Sequence, residues 1–118
     1  MKYLVTDDSK LARLSLVKSL KSFVDDDAEI FQATNGVEAI EIVKNEKIDI
    51  VFLDLTMPIM DGYEALPKIM ELNPKVKVVV VSADVQERAK TRVVSLGAQF
   101  HVQKPINATK MQDILEML

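Results

Sequence analysis

The sequence predicts an open α/β domain in which five short strands alternate with five helices and the strands run parallel. Three observations predict it. Apolar runs recur along the chain, each too short for a helix and each followed by a segment with apolar residues at helical spacing. Two runs, Ile50-Val51-Phe52-Leu53 and Val78-Val79-Val80-Val81, show no polar alternation, as in strands buried on both faces. Strands and helices that alternate this way imply a parallel sheet covered by helices on both sides.

The 118 residues suit a single domain, residues 1–118, with one core. A chain of this length needs no disulfide or metal staple. A hydrophobic share of 48% argues against disorder. The net charge is −3, with Lys and Arg scattered, so no basic stripe points to nucleic acid. There is no cysteine, which excludes disulfides and thiolate metal sites. The longest aliphatic run, Val78 to Val81, is far too short to span a bilayer, and the N-terminus lacks a signal-peptide core. The expectation is a cytoplasmic protein with no membrane insertion.

Lys2 to Thr6 forms the first strand, followed by Asp7-Asp8. Ser9 caps a first helix whose core stripe is Ala12, Leu16, Leu20 and Phe23, with Val17 beside it. Asp25-Asp26-Asp27 is a solvated connection, lacking the ligand spacing and Gly of a calcium loop. Ala28 to Thr34 is the second strand. Asn35-Gly36 makes a turn, and Val37, Ile40 and Val43 mark the core face of the second helix. The third strand stops at Asp54, and Pro58, Asp61 and Gly62 turn the chain away at once. The third helix spans about Tyr63 to Leu72, with Ala65, Leu66, Ile69 and Met70 inward; Pro67 removes a backbone donor and should kink it. Val76 to Val81 is the fourth strand, ending at Ser82. The fourth helix spans about Val85 to Leu96 and stops at Gly97. Phe100 to Gln103 is the fifth strand, closed by Lys104-Pro105. Asn107 caps a last helix carrying Met111, Ile114, Leu115 and Leu118.

Four strands therefore end in reactive or charged residues: Asp7 and Asp8, Asp54, Ser82, and Lys104. In a parallel sheet these ends share one edge, where open α/β sheets bind ligands. Alone, each residue reads as a turn, a cap or a solvated loop charge; their convergence favours a site. Two carboxylates about 5 Å apart repel by roughly 3 kcal/mol at an effective dielectric near 20. One Lys does not offset three such pairs, whereas a divalent cation does. An all-oxygen donor set suits Mg²⁺ better than zinc. A carboxylate can also attack phosphorus and form an acyl phosphate. Such transfer needs mainly positioning and charge neutralisation.

Together, Asp7-Asp8, the run Asp54-Leu55-Thr56-Met57-Pro58 with Asp61-Gly62, Ser82-Ala83, Gly97-Ala98 and Lys104-Pro105 resemble the receiver domain of two-component response regulators. The resemblance covers essentially the whole chain. It implies a flavodoxin-like, CheY-like (βα)5 fold with strand order 2-1-3-4-5. It implies that Asp54 accepts a phosphoryl group from a sensor histidine kinase or phosphotransfer protein. By the same likeness, Asp8, Asp54 and the Thr56 carbonyl bind Mg²⁺, for which Mn²⁺ can substitute, and Asp7 acts through a metal-bound water. Ser82 and Lys104 would hold the phosphoryl oxygens. Thr56 and Asp84 would set the lifetime of the phosphorylated state.

The likeness further implies that Leu11, Pro105 and Ile106 dock the phosphodonor; Leu11 also falls off the core stripe of its helix. Ser82 and His101 would form a switch read out on the surface of the fourth helix, fifth strand and fifth helix. The sequence departs from the family here, with His101 where Tyr or Phe is usual. The expectation is a signalling domain, not a turnover enzyme, its only chemistry being self-catalysed phosphotransfer and autodephosphorylation. It would act as a stand-alone chemotaxis-type or relay regulator with a downstream protein target, or as one receiver of a larger effector-bearing regulator.

An aspartyl-nucleophile phosphatase of the haloacid-dehalogenase type is a rival reading, but it wants a second acid where Thr56 stands. A pseudo-receiver would not need the full acid, Ser and Lys set. A nucleotide-binding flavodoxin-like protein wants clustered glycines, and Gly36, Gly62 and Gly97 are far apart.

Overall fold

The computed structural model describes residues 1–84 and 86–118. Strands β1 (Lys2–Thr6), β2 (Glu29–Ala33), β3 (Ile50–Leu53), β4 (Lys77–Ser82) and β5 (Phe100–Gln103) form one parallel sheet in the order β2-β1-β3-β4-β5. Helices α1 (Lys10–Lys21), α2 (Gly36–Asn45), α3 (Gly62–Leu72), α4 (Glu87–Ser95) and α5 (Ala108–Met117) alternate with the strands. This is the expected doubly wound architecture. One row of the sheet runs Gln32, Val5, Phe52, Val79, Phe100, and the next runs Ala33, Thr6, Leu53, Val80, His101.

Alternate residues of each strand face opposite sides, so the sheet divides the interior into two clusters instead of the one core expected. Val51, Leu53, Val78 and Val80 pack with Ala39, Val43, Ala65, Leu66, Ile69 and Val93 from α2, α3 and α4. Ile50, Phe52, Val79 and Val81 pack with Leu16, Val17, Leu20, Met111 and Ile114 from α1 and α5. Each fully buried Leu, Ile or Phe contributes ~1.5–3 kcal/mol relative to exposure.

The helix starts follow from their caps. Side-chain oxygens of Ser9, Asn35, Asp61 and Asn107 accept the N–H groups of Ala12, Glu38, Glu64 and Lys110 at 3.2, 2.9, 2.9 and 2.8 Å. Each satisfies a donor that the first turn leaves open. Gln86 precedes α4 without a side-chain cap bond. Gly97 ends α4 at φ +114, as its C′ role requires.

Several boundaries and packing assignments differ from the sequence expectations. Phe23 is 40% exposed because α1 ends at Lys21, before the stripe reaches it. Val37 is 48% exposed; it sits in the first turn of α2, and Ala39 takes the inward place. Asp61 caps α3, which begins at Gly62, one residue earlier than the expected Tyr63. Strand β2 lacks Ala28 and Thr34, and β4 starts at Lys77 rather than Val76. The expected start of α4 at Val85 lies outside the described residues. Helix α3 runs through exposed Pro67, so the lost backbone bond lies on the wetted side.

Candidate functional site

The strand ends are held in place by the last rungs of the backbone ladder. Asp7 N–H donates to Ala33 O at 3.1 Å, Asp54 N–H to Thr6 O at 3.0 Å, and Lys104 N–H to Ser82 O at 2.9 Å. Each site residue thus follows its strand directly, and its side chain emerges at the carboxyl edge. Asp7, Asp8 and Asp54 each place a carboxylate oxygen within 4.8 Å of the others. The Lys104 ammonium stands between two of them, 2.7 Å from Asp7 Oδ2 and 3.3 Å from Asp54 Oδ2. Lys104 and Pro105 are joined by a cis peptide bond.

The three acids differ in what already binds them. Asp7 is buried; its Oδ1 accepts the Ser9 N–H at 2.9 Å and its Oδ2 pairs with Lys104. Asp54 is buried and its Oδ1 accepts the N–H of Leu55 at 2.9 Å. Asp8 is exposed, and among the described residues its carboxylate has no hydrogen-bond partner.

Burial pushes the Asp54 carboxyl above the usual carboxylate range, and the charge of Asp7 adds to the rise against the opposing pull of Lys104. Burial alone would lower the Lys104 ammonium, but its hydrogen bond to Asp7 and the Asp54 and Asp7 charges outweigh that, so it lies above the ordinary lysine value. The cluster is therefore short of positive charge. Its donors are all carboxylate oxygens, with no imidazole or thiolate among them, so the residues present fit a hard divalent cation such as Mg²⁺.

Ser82 is buried at the end of β4, and its Oγ accepts the Asp84 N–H at 3.0 Å. Asp84 is exposed, and its Oδ1 accepts the Gln86 N–H at 2.9 Å. Thr56 is exposed in the loop after Asp54. That loop passes close over the strand end, since Gly62 N–H donates to Leu55 O at 3.0 Å. His101 follows Val80 in the sheet row and so faces the α4 side, and among the described residues neither of its buried ring nitrogens has a hydrogen-bond partner.

The expected docking residues separate. Leu11 is 82% exposed and Pro105 is exposed, but Ile106 is 7% exposed and packs with α1 and α5. Ile106 is therefore a packing residue with little surface to offer a partner. A cavity of about 100 Å³ between α1 and the loop after β5 is lined by Asp7, Ser15, Leu16, Lys104, Pro105 and Ile106. Sequence reasoning missed Arg13, whose Nη1 donates to the Asp7 carbonyl at 2.9 Å. The only sequence signal was a cation on the first turn of the helix after the acid pair.

A family model, described as the response regulator receiver domain, matches residues 3–116. The chain belongs to this family of two-component signalling proteins. It is 38% identical over 117 residues to the chemotaxis protein CheY of Listeria monocytogenes, covering 98% of this chain and 96% of that protein. It is 31% identical to the sporulation initiation phosphotransferase F of Bacillus subtilis, covering 98% of this chain and 90% of the other. Among solved structures, the CheX–CheY–BeF3–Mg complex from Borrelia burgdorferi contains a chain that matches with TM-score 0.89 and 31% identity, covering 99% of this chain and 88% of that one. No helix among the described residues is long and apolar enough to cross a membrane.

Proposed function

We propose that the chain is a phosphoacceptor receiver in which Asp54 takes a phosphoryl group from the phosphohistidine of a sensor kinase or phosphotransfer protein. The observation that carries this reading is the convergence of the Asp7, Asp8 and Asp54 carboxylates beside the Lys104 ammonium. In the step, an Asp54 oxygen bonds to phosphorus while the donor's P–N bond breaks, and the freed imidazole takes up a proton. Asp8, Asp54 and the Thr56 carbonyl hold Mg²⁺, and Asp7, whose oxygens are already engaged by Ser9 and Lys104, acts on it through water. Bound Mg²⁺ offsets the charge of the transferring group.

Lys104 holds one phosphoryl oxygen and Ser82 another. Thr56 and Asp84, exposed on the two loops beside Asp54, govern access of water and thus the lifetime of the acyl phosphate. Leu11 and Pro105 form the docking surface for the phosphodonor, with Ile106 beneath them. Movement of Ser82 toward the phosphoryl group and of His101 into the space beside β5 alters the α4–β5–α5 surface, which a downstream protein reads. The likeness to chemotaxis and sporulation relatives supports a chemotaxis-type or relay regulator, with residues 1–118 as one receiver that works in the cytoplasm.

The test is intact-mass analysis after incubation with acetyl phosphate and Mg²⁺. Wild type gains one phosphoryl mass, and EDTA or Asp54→Asn abolishes the gain. Equal labelling of Asp54→Asn overturns the reading.

A further inference from the structure

Asp7 has every polar position engaged, and by groups from different parts of the chain. Its N–H goes to Ala33 of β2, its carboxylate to Ser9 N–H and Lys104, and its carbonyl to the guanidinium of Arg13 on α1. Arg13 is the one of the side-chain partners that the receiver reading does not use. It is half-buried and forked: Nη1 donates to Asp7 O at 2.9 Å, and Nε donates to Gln32 Oε1 at 2.9 Å. Both acceptors are neutral, and among the described residues Arg13 makes no carboxylate ion pair. A surface arginine beside several acids that bonds instead to a backbone carbonyl and an amide oxygen is fixing geometry.

We propose that Arg13, held by Gln32, is a positioning residue that sets cation affinity by locking the Asp7–Asp8 peptide. This deepens the receiver reading and rests on it. Asp8 has no hydrogen bond of its own among the described residues, so its direction depends on the peptide that joins it to Asp7. The Asp7 carbonyl belongs to that peptide. Its bond to Arg13 stops the unit from rotating and keeps the exposed carboxylate of Asp8 turned toward Asp54. Gln32 keeps the guanidinium from swinging into solvent; it occupies the same sheet row as Val5, two residues before Asp7. Groups that orient metal ligands from outside typically matter ~10–100-fold in affinity.

Charge and geometry must be separated, because removing a cation near the site would by itself favour Mg²⁺. Arg13→Lys keeps the charge and loses the fork. Gln32→Ala changes no charge and removes the Arg13 Nε acceptor. The measurement is Mg²⁺ affinity by isothermal titration calorimetry with no phosphodonor present. Arg13→Lys is expected to bind about tenfold more weakly and Gln32→Ala about threefold more weakly. In acetyl phosphate labelling, the Mg²⁺ concentration at half-maximal rate should rise in both variants while the rate at saturating Mg²⁺ stays that of wild type. A purely structural role would not split midpoint from plateau in this way. If both variants bind Mg²⁺ within about twofold of wild type, or if the plateau falls with the midpoint unmoved, the proposal is overturned while the receiver reading stands. Wild type that binds no Mg²⁺ overturns both.

Discussion

The Ser82 hydroxyl accepts the backbone N–H of Asp84 at 3.0 Å, which ties the end of β4 to the loop that leads into α4. A hydroxyl can accept and donate at once. Its proton is free to go to a phosphoryl oxygen while the bond to Asp84 persists, so a single atom joins the site to that loop. Helix α4 lacks a side-chain cap bond from Gln86, and Asp84 itself holds the entry to the helix by accepting the Gln86 N–H at 2.9 Å.

Ser82→Ala is therefore expected to uncouple the site from α4 without preventing phosphorylation. NMR shifts on adding beryllofluoride and Mg²⁺ should remain around Asp54 and vanish around α4 and His101. Ser82→Thr should retain them. Full α4 shifts in the alanine variant would disprove the coupling.

With no cation bound, Asp8 has the Asp7 and Asp54 carboxylates close by and, among the described residues, no hydrogen bond or ion pair of its own. Asp8→Asn should stabilise the protein in EDTA by about 1 kcal/mol, the scale of an exposed charge interaction. It should also abolish the stabilisation that excess Mg²⁺ gives wild type. Urea unfolding with and without Mg²⁺ reads both effects, and a variant still stabilised by Mg²⁺ would remove Asp8 from the ligand set.

Leu11 stands out from α1 and is not needed for packing. Leu11→Asp should leave acetyl phosphate labelling unchanged and slow transfer from the cognate phosphodonor by about tenfold, the scale of one lost interface anchor. Equal loss in both assays would mean that the substitution damages the fold.

Gly62 sits where a side chain has no room. A Cβ there would meet the Asp54 carbonyl oxygen and lie 2.9 Å from Leu55 Cα, and backbone cannot move aside as a side chain can. Gly62→Ala should cost at least the ~1–3 kcal/mol typical of overpacking and should slow Asp54 labelling as the loop lifts. Chemical denaturation and labelling rate are the measurements; wild-type values in both would show that the loop adapts.

His101 is the single histidine of the chain. Burial lowers its pKa, Lys90 of α4 lowers it further, and Asp84 opposes them. The folded protein thus binds this proton less readily than the unfolded chain. Stability is unaffected above the unfolded value near 6.5 and is lost as pH falls below it toward the lower folded pKa. Between about pH 7.5 and 5.5, wild type should lose more stability than His101→Phe, measured by urea titration at each pH. Parallel losses would mean that the ring titrates as if free.

Much of this was legible beforehand, for a physical reason. The uninterrupted run before Asp54 could only be a strand covered on both sides, and β3 is fully buried as that pattern requires. A strand that ends in a carboxylate must present it at the sheet edge, so Asp54 needed no structure to be found. Periodicity carries no information on where a helix stops short of the core, so Phe23 and Val37 read as inward in the sequence and are exposed in the structure. Ile106 follows Lys104-Pro105 and looks like part of an exposed loop, yet the chain turns it between α1 and α5. Arg13 acts on a backbone carbonyl and Gln32 on Arg13, and residue types show the cation near the acid pair but not those pairings.

The two separate interior clusters have an evolutionary consequence. The helix expected to meet the phosphodonor, α1, rests on one cluster, and α4 rests on the other, with the sheet between them. Substitutions that reshape the packing under α1 need not disturb the packing under α4. The surface of α1 can therefore change by substitution while α4 keeps its shape. What both must preserve is the thin line of polar groups along the sheet edge, where Asp7, Asp54, Ser82 and Lys104 meet.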